Sequence, residues 1–177
     1  MSEFVERRGG RFANLGLFAG RFCVRYCGIW GAELRDGRRS SAHRRFLELV
    51  RRFRPAVVYI HIGENDVRQR DDPRTVLRHI RQLVTDVSGP ECIVIVSQLL
   101  PFPAMSHRRH HIDELNRSLM ETFRDHNEVQ YWRHRGGFWT RDTVFNRHGV
   151  HVNEHGAERY WHSVRTAVIK GLRAVGQ

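Results

Sequence analysis

Two short clusters in this sequence combine side chains that could polarise a carbonyl and move a proton. The first is Gly63-Glu64-Asn65-Asp66, directly after the apolar run Ala56 to Ile62. A glycine leaving a buried strand lets the backbone turn sharply, and an asparagine two residues on can aim its amide into a cleft as a donor. The second is Phe145-Asn146-Arg147-His148-Gly149-Val150-His151-Val152-Asn153, followed by Gly156. A histidine in a loop ahead of a helix can carry protons near neutral pH. Each cluster alone has an ordinary explanation as well: Gly, Asn and Asp populate turns for conformational reasons, and the chain holds 12 histidines.

The elements that must position these clusters follow from hydrophobic periodicity. Apolar β-branched runs alternate with longer helical patterns, which predicts an α/β fold with a parallel sheet flanked by helices. Ala56 to Ile62 (AVVYIHI) and Cys92 to Leu99 (CIVIVSQL) read as central strands buried on both faces, paired side by side, and Glu128 to Trp132 as a last strand near an edge. Arg11 to Leu17 and Arg21 to Cys27 are weaker candidate strands. Helices are expected over about Ser41 to Phe53, Pro73 to Val87, Arg109 to Asp125 and Glu154 to Val175. Pro73 fits a first helical position with Asp72 as its cap, and Ser88-Gly89-Pro90 stops that helix. In the last helix Tyr160, Val164, Ala167, Val168 and Leu172 form one apolar stripe to lie on the sheet. Open parallel sheets place sites in the loops leaving the carboxyl ends of their strands, and Gly63 to Asp66 occupies such a loop.

The joint order of the clusters, a strand-borne Gly-x-Asn-Asp and then Gly-Val-His-x-Asn-x-x-Gly before a terminal helix, resembles the SGNH (GDSL-like) hydrolase superfamily. The resemblance runs from about Asn14 to Leu172 and implies a three-layer α/β/α, flavodoxin-like fold. It implies that Gly31, in Cys27-Gly28-Ile29-Trp30-Gly31-Ala32, gives a backbone amide to an oxyanion hole, that Asn65 gives a side-chain amide, and that His151 is the general base. Carboxylic ester hydrolysis on a small ester substrate is the activity it implies, by attack of a serine that His151 would activate.

Two departures shape the functional expectation. The family's Gly-Asp-Ser-like block is not seen; Ser2 is the one serine near the start and has no strand before it, so the domain (1–177) is expected to be N-terminally incomplete, with its first strand missing. Four strands are then expected rather than five, or a gap beside Ala56 to Ile62. The second departure is His148, which stands where the family usually has an acid; neutral imidazole supplies no negative charge to an imidazolium, though Asp142 and Glu154 are nearby in sequence. Impaired catalysis is therefore expected, in a truncated product or a stable pseudoenzyme. The alternative is a noncatalytic basic module that binds nucleic acid or protein, derived from a mobile-element protein.

Composition sets the remaining bounds. At 177 residues the chain is one domain in size, and no apolar run reaches the roughly 18 residues that a membrane-spanning helix needs. Cys23, Cys27 and Cys92 have no paired spacing, so a reducing, cytoplasmic or otherwise intracellular setting is expected. Net charge is +11 with Lys170 the sole lysine; the arginines are spread along the chain, which predicts weak, sequence-independent nucleic-acid binding beside the plain reading of a solvated basic surface. Tyr131, Trp132, Phe138 and Trp139 with Arg133, Arg135 and Arg141 could stack on single-stranded nucleic acid or cover the sheet edge. His107, His110 and His111, and His148, His151 and His155, lack a Cys or carboxylate ligand at metal-site spacing, so neither metal nor cofactor is expected.

Overall fold

A computed structural model describes residues 10–29, 31–69, 71–135 and 144–176. Ser2, Trp30, Phe138, Trp139, Arg141 and Asp142 lie outside the described residues. In chain order the elements are α1 (Gly10–Ala13), a 3-10 turn (Gly37–Arg39), α2 (Ser41–Phe53), β1 (Val57–Ile60), α3 (Glu64–Arg68), α4 (Pro73–Val87), β2 (Ile93–Ser97), a second 3-10 segment (Pro103–Arg108), α5 (Arg109–Phe123), β3 (Val129–Trp132) and α6 (Glu154–Ala174). The α/β class, the three clear strands and the four long helices thus fall where periodicity and capping put them. Asp72 caps α4 by accepting from the Thr75 amide, with Pro73 in the first turn.

The strands form a parallel sheet in the order β1-β2-β3, with Val58 opposite Val94, Ile60 opposite Val96 and Ser97 opposite Trp132. Side chains alternate between the two faces of a strand, and both faces are covered. Val58, Ile60, Val94, Val96 and Val129 turn toward α2, α4 and α5, joining Ile80, Leu83, Leu115 and Leu119 in one core. Val57, Ile93 and Ile95 turn the other way, toward Ala167 of α6. Layered packing of this kind accounts for the near-continuous apolar runs of β1 and β2.

Two weak strand expectations are corrected. Arg11 to Leu17 contains α1 and then a turn with Leu15 and Gly16 at positive φ. Arg21 to Cys27 is irregular and belongs to no strand. Its hydrogen bonds go to a side chain instead of a ladder: Asn14 accepts from the Val24 amide at 2.9 Å and donates to the carbonyls of Leu17 and Phe22 at 3.1 and 3.0 Å. Phe12, Leu15, Leu17, Val24 and Tyr26 supply the apolar content that resembled strands, and they pack on Trp161 and Val164 of α6. Among the described residues the sheet has three strands, not four, and β2 is the one strand paired with β1.

Candidate active site

Asn65 sits in the first turn of α3, just past the carboxyl end of β1, and its neighbours on both sides are clamped. Gly63 makes the turn with φ +126, a region in which L side chains are strained, and a Cβ there would meet Leu99, Val76 and Ile80 at 3.2 to 3.4 Å. Glu64 accepts from the Leu100 amide at 3.2 Å, which ties the turn to the segment after β2. Asp66 is wholly buried and accepts from the Leu34 amide at 2.7 Å, which ties it to the loop before α2. Burial raises the Asp66 carboxyl to about 6, against the hydrogen bonds from Leu34 and its own amide that favour the ionised form.

Between these clamps the Asn65 amide donates to the carbonyl of Ala32 at 3.2 Å. The neighbouring residue, Gly31, has φ +61 and open space where a Cβ would stand. Gly31 and Asn65, 34 positions apart in sequence, are thereby brought into one neighbourhood. An amide pair so placed has the donor chemistry of an oxyanion hole.

His151 lies on an exposed loop whose ends are drawn together by the Phe145–Val152 bridge. The Asn146 amide donates to the His151 carbonyl at 2.8 Å, and Gly149 takes φ +65 at the bend. The loop is moored to the segment after β2, because the Ala104 amide donates to the Gly149 carbonyl at 3.1 Å and Phe102 meets Phe145 edge-on at 5.6 Å. Asn153 caps α6 by accepting from the Gly156 amide at 2.8 Å. Gly156 has to be glycine, since a Cβ there would lie 2.1 Å from the Val144 carbonyl oxygen. His148 is exposed and accepts from Arg147 at 3.0 Å. The segment after β2 thus holds both the Asn65 turn, through Glu64, and the His151 loop, through Ala104.

Sequence reasoning missed a second constellation under this end of the sheet. His61, Ser97 and His134, each at or just beyond the carboxyl end of its strand, meet on the α6 side. Glu64 lies 2.5 Å from His61 Nε2; His61 Nδ1 lies 3.2 Å from Ser97 Oγ; His134 Nε2 lies 3.0 Å from the same Oγ, and His134 Nδ1 lies 2.8 Å from Ser163 Oγ. Tyr59 donates to Ser97 at 2.8 Å and Trp132 donates to Ser163 at 3.0 Å. One proton arrangement satisfies these contacts, Trp132 to Ser163, Ser163 to His134, His134 to Ser97, Ser97 to His61, and His61 to Glu64, with the Gln98 carbonyl at 3.1 Å as a second acceptor for the Ser97 proton.

The charges agree with that relay. Burial, with His61 beside it, drives His134 down to about 3, so it is neutral. Burial would raise Glu64, but its pairing with His61 and its amide hydrogen bonds hold it below the ordinary carboxylate value. Burial also raises the Tyr59 and Tyr160 hydroxyls. Ser97, His61 and Glu64 have the connectivity of a serine–histidine–acid triad, yet Ser97 is 1% exposed and a hydroxyl with one proton and two acceptor sites has its capacity filled. The signal in the sequence was a polar residue ending each of three apolar runs.

His110 and His111 stack at 3.9 Å, and among the described residues no group of three His, Cys, Asp or Glu side chains could hold a metal ion. No helix among them is long and apolar enough to cross a membrane.

Comparisons with known proteins bear on the fold and the family. The fold is similar to the crystal structure of a carbohydrate esterase family 3 from Talaromyces cellulolyticus, with 19% identity, 85% of this chain and 76% of that chain covered, and a TM-score of 0.66. No curated protein sequence matches the chain. The model of the GDSL-like Lipase/Acylhydrolase family matches residues 7–159, most of the length, and the chain belongs to that family.

Proposed function

We propose that this chain is an ester-hydrolase-type domain for small esters, with an oxyanion pocket made by the Gly31 backbone amide and the Asn65 side-chain amide and with His151 as proton carrier. The observation that carries the reading is the Asn65 hydrogen bond to Ala32, which seats the side-chain donor beside the Gly31 turn at the carboxyl end of the sheet. Family membership supplies the class of bond, and no acyl group or alcohol is singled out by the residues. In the intact reaction a serine oxygen attacks the ester carbonyl while His151 takes its proton; the tetrahedral oxyanion rests on Gly31 and Asn65; the carbonyl reforms as the alcohol leaves with the proton from His151. Water then repeats the cycle on the acyl-serine.

Turnover by the chain as it stands is proposed to be low. Its 177 residues contain no Gly-Asp-Ser turn, Ser97 is enclosed, and His148 stands where the family usually has an acid. Three free cysteines, Cys23, Cys27 and Cys92, fit a reducing intracellular setting for the protein. Hydrolysis of nitrophenyl acetate tests the reading: near-background rates are expected from the chain, and rates that depend on Asn65 and His151 once a serine-bearing strand and turn are joined to it. A restored enzyme indifferent to Asn65→Ala would remove the oxyanion assignment.

A further inference from the structure

Arginines that are dispersed in sequence are gathered by the fold. Arg44, Arg45, Arg51 and Arg52 on α2, and Arg74, Arg78 and Arg81 on α4, are all exposed. The two helices touch on one face of the sheet, where His43 near the start of α2 reaches Asp86 near the end of α4, and their apolar sides share the main core. Against these cations the helices carry two acids, Glu48 and Asp86. Asp86 is already engaged, by Arg38 at 2.5 and 2.8 Å and by His43 at 2.9 Å. The other long helices differ: on α5, Asp113, Glu114 and Glu121 outnumber Arg109 and Arg117, and on α6 Glu154 and Glu158 offset half of its four cations. Most of the helical excess of positive charge therefore faces outward from α2 and α4.

Two details narrow the partner. Arg78 and Arg81 line a shallow open depression on α4, and Arg74, Arg78 and Arg81 follow one helix face at steps of about 6 and 4.5 Å along the axis. Guanidinium groups so spaced can fork onto successive phosphates. At the end of α2 the Phe53 ring is 42% exposed, with the guanidinium groups of Arg52 and Arg25 at 5.6 and 5.3 Å from its centre. An exposed ring beside guanidinium planes is a stacking platform for an unpaired base. A duplex keeps its bases stacked inside and cannot use it.

We propose that the outward face of α2 and α4 is a docking surface for single-stranded nucleic acid, holding phosphates through its arginines and a base on Phe53. This surface turns away from the sheet and does not rest on the ester reading. It also refines the expectation of diffuse binding from scattered arginines, because the charge is local.

The test is fluorescence anisotropy of labelled oligothymidylate across a salt series, with the intact chain and two charge-matched triple variants. Arg52→Gln/Arg78→Gln/Arg81→Gln is expected to weaken binding at least tenfold and to flatten the log–log salt dependence by about 0.7 per engaged arginine removed. Arg165→Gln/Lys170→Gln/Arg173→Gln, on α6, is expected to change affinity less than threefold. Equal losses in the two variants would overturn the proposal, since binding would then follow net charge alone. Phe53→Ala is expected to weaken binding at all salt concentrations without altering the slope; no effect of Phe53→Ala, together with duplex bound as tightly as single strand, would remove the single-strand assignment. Oligouridylate is expected to bind within a few-fold of oligothymidylate, and a preference above tenfold for either would show a sugar- or base-reading site that this face does not supply. Thermal unfolding of each variant checks that the substitutions leave the fold intact.

Discussion

Asp66 accepts the Leu34 amide at 2.7 Å, one residue beyond the Asn65 whose own amide reaches Ala32. A single turn of helix thus holds the loop before α2 by two adjacent side chains. The cost lies in the buried Asp66 carboxyl, raised to about 6 from 3.8. Because the folded protein keeps this proton more tightly than the unfolded chain, Asp66 favours folding most at low pH, and that contribution is lost as pH rises through about 6. At neutral pH a shift of this size costs roughly 3 kcal/mol. Urea unfolding of the wild type and of Asp66→Asn from pH 4 to 7 should therefore diverge, the wild type losing stability relative to the variant as pH rises. A difference that is flat with pH would contradict the buried-proton account.

His134 acts in the opposite sense. Its ring is held neutral down to about 3, whereas the ordinary value is 6.5, so on acidification the unfolded chain takes up a proton that the folded protein refuses. The stability that depends on neutral His134 is complete above 6.5 and drains as pH falls toward 3. Relative to His134→Gln, the wild type should lose stability over that window. Following the His134 ring by NMR provides the direct check: its carbon shifts should stay those of a neutral imidazole at pH 5, and a midpoint near 6 would refute the burial argument.

How much of this was legible in the sequence depends on whether the cause is local. Asp72 before Pro73 is a capping signal read within one turn of chain, and α2 and α4 have the predicted bounds. Gly63 and Asn65 were legible for the same reason: a buried run ends and turn residues follow. The Asn14 clamp was not, because it replaces strand pairing by bonds to residues up to 10 positions away and leaves an apolar spacing that looks like a strand. The Ser97 relay was least legible of all. His61, Ser97 and His134 stand 36 and 37 residues apart, and only the parallel register, which sets Tyr59 against Ile95 and Ser97 against Trp132, places them on one face. The charge distribution was hidden likewise, since α2 and α4 become neighbours only by packing on a shared sheet.

Ser97→Ala should show what that relay contributes. Removing the hydroxyl takes away a bond from each of Tyr59, His61 and His134 in a largely buried site. Each buried polar group left unpaired costs about 1–3 kcal/mol, and because the three share one partner their losses do not simply add. A loss of about 3 kcal/mol in urea unfolding is expected. Ester turnover in a serine-restored enzyme should survive the change, apart from what is lost through instability. Abolition of turnover in a well-folded Ser97→Ala protein would mean that the enclosed hydroxyl reacts after all.

Gly156→Ala tests how tightly the His151 loop is seated. The added Cβ would fall 2.1 Å from the Val144 carbonyl oxygen, which is backbone and cannot swing away as a side chain would. Either α6 slides or the loop between Val144 and Asn153 lifts, at a cost of about 3 kcal/mol or more. The expected result is a strongly lowered unfolding midpoint and loss of amide protection at Asn146 and Asn153, whose bonds to His151 and Val144 close the loop. Retention of wild-type stability would contradict this close packing of α6 against the Val144 carbonyl.

The final prediction concerns catalysis and rests on the proposed roles of Gly31, Asn65 and His151. Donors placed for an oxyanion accelerate nothing until an attacking oxygen creates one, so the chain should turn over nitrophenyl acetate near background. His148→Asp alone should not change this, because it improves a base that has no serine to deprotonate. Joining a strand and a Gly-Asp-Ser turn to the amino end should produce measurable hydrolysis, and adding His148→Asp to that protein should raise it by orders of magnitude if no other carboxylate orients His151. In the restored enzyme Asn65→Ala should lower kcat by about 10²–10³, the loss expected for one oxyanion donor, with little change in KM. The same substitution also removes the bond to Ala32, so a fall in KM-weighted binding and in stability, with kcat untouched, would mark Asn65 as a loop anchor and not a donor to the reaction. Robust hydrolysis by the unaltered chain that persists in Ser2→Ala and Ser97→Ala but vanishes in His151→Ala would overturn the impairment and require a nucleophile among the remaining hydroxyls and thiols.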